Sequence, residues 1–463
     1  MDVSGKTIVA LATPAGRSGI GIVRLSGDGA LDAAVKLTRR DRDFFAPRKA
    51  TLVELRDPRD NAAIDKALVT YFKAPHSFTG EDVVEISCHG SPVLLRQVID
   101  LCLSFGCRAA EPGEFTLRAL AHGQLDLAEA EAIRDLIDAQ TTTAARQAVR
   151  QLGGEMSRSL QPLKDELLNI IVVLESALEF VEDDLPESQS EEVSRSLQEI
   201  AAKTLEFADT YKAGHLIRDG LSATIVGRPN VGKSSLFNRL LGTERAIVTD
   251  IAGTTRDQLN ERFTVGDIPI HLVDTAGLRE TEDTVEKIGV ERARGAMADA
   301  DLVIVVLDAH ESLTEEDREI VRSAEKQNFI IALNKIDKLP SRDIDRLASA
   351  GDPALSKFRE RMVPVSAKTG EGLDDLREAI IQPFTTHDLS ANSFLVTDAR
   401  HYDLLMRTHA EIGESVEALS QNQSEEIVLL GLHNALRYLG EITGETTTED
   451  MLTRIFSTFC IGK

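Results

Sequence analysis

The feature that most constrains this chain is the octapeptide Gly227-Arg228-Pro229-Asn230-Val231-Gly232-Lys233-Ser234, which fits GxxxxGK[ST], follows an apolar run at residues 222–226 and opens a helical stretch. A phosphate cradle of this kind needs a strand to deliver the loop, glycines to let backbone N–H groups approach, and a helix N-terminus to face the charge. Further apolar runs at 268–273, 302–307, 329–333 and 362–365 alternate with amphipathic helical text. That alternation implies a mostly parallel, doubly wound α/β sheet. Lys233 is assigned to the β/γ oxygens and Ser234 to Mg²⁺, with Asn230, Val231, Gly232 and Ser235 beside them.

The motifs downstream select the nucleotide. Asp274-Thr275-Ala276-Gly277 follows the 268–273 run, where a carboxylate can hold the Mg²⁺ shell and the Gly277 N–H can sense a γ-phosphate. Asn334-Lys335-Ile336-Asp337 follows the 329–333 run. Asp337 can accept from both N1–H and the N2 amino group of guanine, and adenine offers neither donor. Asn334 braces the loop, the Lys335 stem covers the purine face, and Ser366-Ala367-Lys368 aims a backbone N–H at O6. In this order the motifs point to GTP rather than ATP. Leu278 follows the Asp-Thr-Ala-Gly turn, and leucine cannot orient an attacking water as the glutamine of Ras-type GTPases does.

Around this core the text changes character. Residues 1–120 read as an α+β module, 121–214 as the first part of a helical domain, 215–383 as the nucleotide-binding domain inserted into it, and 384–463 as its second part. The Gly153-Gly154 pair and the acidic 182–191 stretch read as turns between long helices. A length of 463 residues with 42% hydrophobic and 28% charged content supports about three globular domains. Apolar stretches such as 169–174 fall far short of the ~20 residues a spanning helix needs, so no membrane span is expected.

With 52 basic against 76 acidic residues the net charge is -24, which excludes nonspecific coating of nucleic acid and confines any RNA contact to a local basic patch. Cys88, Cys102, Cys107 and Cys460 show neither zinc-ligand nor disulfide-framework spacing, so a reducing cytoplasm is expected. No secretory signal is visible after Met1.

A family resemblance rests on residues outside the nucleotide motifs. Residues 8–14, Gly16-Arg17 and Gly21-Ile22-Val23-Arg24-Leu25-Ser26-Gly27 are followed by Ser77-Phe78-Thr79-Gly80-Glu81-Asp82 and Cys88-His89-Gly90. Pro112-Gly113-Glu114-Phe115-Thr116, Leu125-Asp126-Leu127-Ala128 and the tail Phe459-Cys460-Ile461-Gly462-Lys463 complete the series. In these residues the chain resembles the MnmE (TrmE) family of tRNA-modification GTPases over essentially its whole length.

The resemblance implies a homodimer through the N-terminal domain and a heterotetramer with the MnmG-type protein, which carries FAD and uses NADH. It further implies tRNA as substrate and modification of C5 of the wobble uridine, position 34, to an aminomethyl or carboxymethylaminomethyl form. A one-carbon tetrahydrofolate, in its 5-formyl or methylene form, would be held by Arg24, Glu85 and Lys463. Gln124 stands where the family often has a lysine for the same ligand. Cys460 is placed near that site as a catalytic thiol, the alternative being a buried, inert one.

The loop at 244–257 resembles bacterial GTPases that activate themselves by G-domain dimerisation around a monovalent cation. On that likeness Thr249, Asp250, Ile251, Ala252, Gly253, Thr254 and Thr255 line the nucleotide, with Thr255 on Mg²⁺. K⁺ would take oxygens from Asn230, Thr249, Ile251 and Thr254, unless Asn230 only caps a turn. The family's catalytic glutamate maps to Glu286. A GTP-gated ribosome-assembly or RNA-binding factor without small-molecule chemistry is the competing reading, against which the chain shows no GXXG-centred KH pattern.

Overall fold

The computed structural model describes residues 5–179, 187–242, 260–273, 300–339, 353–384, 394–421 and 423–462. The chain forms two compact units, Met1–Asp138 with Ala148–Leu205 and Asp403–Lys463, and Ala139–Gln147 with Glu206–Tyr402.

The first unit begins with a six-stranded sheet of β1 (Ile8–Leu11), β2 (Ser18–Ser26), β3 (Thr51–Arg56), β4 (Ala63–Phe72), β5 (Val83–Gly90) and β6 (Arg108–Ala109), in the order β3-β4-β5-β2-β1-β6. Only β1 and β6 run parallel within it; the other neighbours are antiparallel. Antiparallel strands with one covered face alternate in burial, and β3 does so through buried Val53 and Leu55. Helices α1 (Ala30–Thr38) and α2 (Pro92–Ser104) cover that face, with Leu37, Val98, Leu101 and Cys102 packed against Val23, Leu25, Val69 and Ile86.

Helices α3 (Glu114–Ala121), α4 (Leu127–Asp138), α5 (Thr142–Leu152), α6 (Glu155–Glu179) and α7 (Glu187–Asp209) follow. The expected turn at Gly153-Gly154 separates α5 from α6, and Gly154 adopts φ +77°. Met156, Leu160, Leu163, Leu167, Ile170, Ile171 and Leu174 recur at helical spacing and bury one face of α6.

The second unit carries α8 (Tyr211–Asp219), β7 (Leu221–Val226), α9 (Lys233–Gly242), β8 (Asn260–Val265), β9 (Ile268–Val273), β10 (Leu302–Asp308), α10 (Glu315–Ala324), β11 (Phe329–Asn334), α11 (Pro353–Ser356), β12 (Met362–Pro364) and α12 (Leu373–Ile381). Its sheet runs β12-β11-β10-β7-β9-β8 and is parallel except at β8. Every residue of β10 and β11 is buried, as strands covered on both faces require. The antiparallel edge strand β8 is an addition to the strands expected from the sequence. Its signal was the Gly266-Asp267 turn, where Gly266 supplies φ +58° between paired Val265 and Ile268.

Helix α13 (Ala399–Ser420) leads back to the first unit, which ends in α14 (Glu425–Thr443) and α15 (Glu449–Phe456). Val428, Leu432, Ala435, Leu439 and Ile442 are buried along α14, which packs beside α6. The architecture is a P-loop α/β domain inserted into helical sequence and preceded by an α+β domain. No helix among the described residues is long and apolar enough to cross a membrane.

Candidate functional site

The carboxyl ends of parallel strands form the crevice where doubly wound sheets bind ligands. Here β7 delivers Gly227, β10 ends at Asp308, β11 ends at Asn334 in register with Asp308, and β12 leads into Val365 and Ser366. The expected phosphate loop, base loop and Ser-Ala-Lys turn therefore meet at one rim of the sheet.

Lys233, the first residue of α9, donates from Nζ to the carbonyls of Gly227 (2.7 Å) and Arg228 (2.8 Å), curling the loop around its own ammonium. Burial pushes its pKa down from the ordinary lysine value. Ser234 and Ser235 follow at the start of α9. Asn230 adopts φ +65°, and among the described residues its side-chain amide has no hydrogen-bond partner, so no turn-capping bond to it is present. Arg228 reaches sideways to Glu311 and lies 3.2 Å from Asp317, which caps α10 with Thr314.

Asn334 ties three segments together. Its Nδ2 donates to the Val231 carbonyl (2.9 Å), and its Oδ1 accepts from the Ala367 N–H (3.0 Å). The Lys335 backbone is left-handed at φ 68°, and its Nζ donates to the Asn230 carbonyl and to Asp308, both at 2.6 Å. Asp337 Oδ1 accepts from Ser366 Oγ at 2.7 Å, which sets the direction of the carboxylate expected to read guanine. The Ser366 N–H is used by the Glu371 carbonyl (2.9 Å) and the Ala367 N–H by Asn334, so Lys368 carries the amide of that triplet without a partner among the described residues. The sequence reading missed Asp308, although a carboxylate closing the otherwise apolar run Leu-Val-Ile-Val-Val-Leu was a visible signal.

Thr249, Asp250, Ile251, Ala252, Gly253, Thr254, Thr255, Asp274, Thr275, Ala276, Gly277, Glu286 and Lys463 lie outside the described residues.

A second constellation lies in the first unit. Arg24 on β2 and Glu85 on β5 are paired across the strands; Glu85 Oε1 accepts from Arg24 Nε (3.0 Å) and forms an ion pair with NH2 at 2.9 Å. Arg24 NH1 also donates to the Gly462 carbonyl at 3.1 Å, bringing the end of the chain to the sheet. The tail is seated by buried Phe456 and Phe459 against Leu117 and Leu127, and by a bridge from Ile461 to Pro112. Gly462 sits at φ +98° where a Cβ would come within 2.3 Å of the Leu11 carbonyl, so glycine is required there.

The loop Ser77–Asp82 closes over this corner, with the Phe78 ring centroid 6.0 Å from the Arg24 guanidinium. Glu81 anchors the loop by accepting from Ser26 Oγ (2.7 Å) and from the buried Arg118 NH1 (2.9 Å). Gln124 is exposed beside Gly80 of the same loop. The four cysteines form no disulfide, and Cys460 alone among them is exposed. Phe78, Glu81 and Arg118 were not singled out from the sequence as site-forming residues.

The family described as "GTP-binding protein TrmE N-terminus" matches residues 7–124, and that described as "MnmE helical domain" matches residues 127–460. The protein named "tRNA modification GTPase MnmE" of Koribacter versatilis (strain Ellin345) is 45% identical over 460 residues, 99% of this chain and 99% of that one. Proteins of the same name from Aquifex aeolicus (strain VF5) and Acetivibrio thermocellus are 45% identical over 459 residues and 39% identical over 460 residues. The former alignment covers 98% of this chain and 99% of its relative, and the latter 99% of each. A likeness of this extent sets aside the ribosome-assembly alternative, and the chain belongs to the MnmE (TrmE) family as a GTP hydrolase of tRNA modification.

Proposed function

We propose that this protein is a K⁺-stimulated GTPase that, as a homodimer and in a heterotetramer with an FAD- and NADH-using MnmG-type partner, modifies C5 of the wobble uridine of certain tRNAs in the cytoplasm. The carbon would come from a one-carbon tetrahydrofolate. GTP hydrolysis would drive G-domain dimerisation and a conformational cycle. One observation carries the reading: the Arg24 guanidinium that holds Glu85 also holds the Gly462 carbonyl, two residues from the exposed Cys460.

The residues fit a folate. A pterin presents an amino-amide edge that a carboxylate can accept from, and both the hydrogen bond and the ion-pair contact of Arg24 fall on Glu85 Oε1, so Oε2 takes no bond from that guanidinium. Phe78 offers a ring beside it, and Lys463, adjacent to Gly462, would meet the acidic tail with Gln124. When bound, the folate supplies the one-carbon unit. The chain's own part is to orient the ring through Glu85, close the corner with the 77–82 loop and present the Cys460 thiol.

In the nucleotide site Lys233 gives up its loop carbonyls for the β/γ oxygens, while Asp337 and the Lys368 N–H read the guanine edge. Ser234 and Thr255 would hold Mg²⁺. The Asn230 side chain, with Thr249, Ile251 and Thr254, would hold K⁺, which supplies positive charge against the leaving oxygens. Glu286 would orient the attacking water in place of Leu278.

Mass spectrometry of tRNA nucleosides from cells lacking the protein tests the reading, with complementation by wild type, Glu85→Ala and Cys460→Ser. Loss of the modified wobble uridine, restored by wild type and not by Glu85→Ala, is expected. Unchanged nucleosides in the deletion would overturn the tRNA assignment, and full rescue by both variants would overturn the folate site.

A further inference from the structure

Asp308 lies at the end of β10, its side chain only 3% exposed, and both of its oxygens are engaged. Oδ1 accepts from the His310 N–H at 3.0 Å and Oδ2 from Lys335 Nζ at 2.6 Å. Burial acts to raise the carboxyl's pKa, but the Lys335 and His310 bonds outweigh it and hold it below the ordinary aspartate value. The same Lys335 ammonium reaches the Asn230 carbonyl, in the left-handed turn of the phosphate loop. One residue earlier, Asn334 holds the neighbouring Val231 carbonyl. Two successive carbonyls of the phosphate loop are thus gripped from the base-recognition loop, and Asp308 is the buried counter-charge for one of the two grips.

We infer that Asp308 is a positioning residue for nucleotide binding: it pins the Lys335 ammonium against the Asn230 carbonyl, which lays the lysine stem along the purine position and joins the base loop to the phosphate loop. The inference rests on the reading of this crevice as the GTP site. Lys335 has four rotatable methylenes, and without an anchor its stem sweeps many conformations. A buried carboxylate selects one, because an ammonium in that place has few other acceptors. The residue does not touch the nucleotide in this scheme. It acts through Lys335, so its effect must vanish when the ammonium is gone.

That dependence is the test. The dissociation rate of ribose-labelled mant-GDP is measured for wild type, Asp308→Asn, Lys335→Met and the double variant. Asparagine keeps an acceptor for the His310 N–H and presents an amide donor to Lys335, while methionine keeps an apolar stem and loses the ammonium. Asp308→Asn is expected to speed release about tenfold or more, the scale of one charged hydrogen bond. In the Lys335→Met background the same change is expected to alter release by less than about twofold. Equal factors in the two backgrounds would mean a general structural role and overturn the inference, as would unchanged release in Asp308→Asn. If Asp308→Asn does not fold, the same comparison is made with Asp308→Glu, which displaces the charge by one methylene. A wild-type protein that fails to bind mant-GDP would instead overturn the assignment of the crevice itself.

Discussion

A Cβ added to Gly232 would lie 2.2 Å from Nδ2 of Asn334, although about 100 residues of sequence separate the two. Gly232 also adopts φ +100°, so both space and backbone require glycine. Gly232→Ala should displace Asn334 from the Val231 carbonyl and cost about 2–4 kcal/mol in strain and an unpaired polar group. Nucleotide affinity should fall ~30-fold or more in a fluorescence titration. Gly413→Ala, at an exposed position of α13 with nothing within 4 Å of the added carbon, should instead raise stability by about 0.5–1 kcal/mol in urea melts.

Guanine discrimination is expected to depend on Asp337 and on the hydroxyl that aims it. Asp337→Asn should shift preference toward xanthine nucleotides, because an amide can donate to the oxygen that replaces the N2 amino group. Ser366→Ala removes the 2.7 Å bond to Asp337 Oδ1 and should weaken GDP binding by about 1 kcal/mol without changing base preference. Competition of GDP and XDP for each variant measures both, and unaltered GDP affinity in Asp337→Asn would reassign the base site.

Hydrolysis should run faster in K⁺ than in Na⁺, and Asn230→Ala should remove the difference while retaining GTP binding, since a weakly held ion loses one of a few oxygen ligands. Equal turnover in the two salts would count against the ion site. Lys233→Ala should abolish binding or hydrolysis in either salt.

Glu286→Ala should lower kcat by ~10²-fold or more with little change in GTP affinity, the mark of an interaction made in the transition state. Single-turnover hydrolysis in K⁺, with Glu280→Ala and Glu282→Ala as controls, separates this from a helix-start carboxylate. Such a carboxylate is worth well under ~1 kcal/mol and would leave turnover nearly intact.

Cys460 should separate from Cys88 and Cys102 by alkylation at pH 8. Burial pushes Cys88 up to about 12 and Cys102 higher still, so both remain protonated and covered in the folded chain. Cys460 is exposed. Peptide mapping after a short iodoacetamide pulse should find Cys460 carbamidomethylated and Cys88 and Cys102 intact. Raising the pH to 9 should leave Cys88 unreactive, because it is still far below the pKa to which burial has moved it. Labelling of Cys88 before Cys460 would contradict the burial of Cys88 and the exposure of Cys460.

Local sequence alone determined the phosphate loop, the base loop and the alternation that makes the inserted domain a parallel sheet. Each of those is a contiguous pattern whose spacing is itself the geometry: Lys233 must open a helix after Gly232, and Asp337 must sit three residues past Asn334. Tertiary structure decided which distant groups share a bond. Arg24 meets Glu85 and Gly462, separations of 61 and 438 residues, only because β2 pairs with β5 in one register and the two phenylalanines of the tail fill a hydrophobic gap. Asp308 meets Lys335 because β10 and β11 end level, pairing Asp308 with Asn334. Strand register depends on the whole sheet and its burial, so a carboxylate at a strand end could not be assigned a partner from its own neighbourhood.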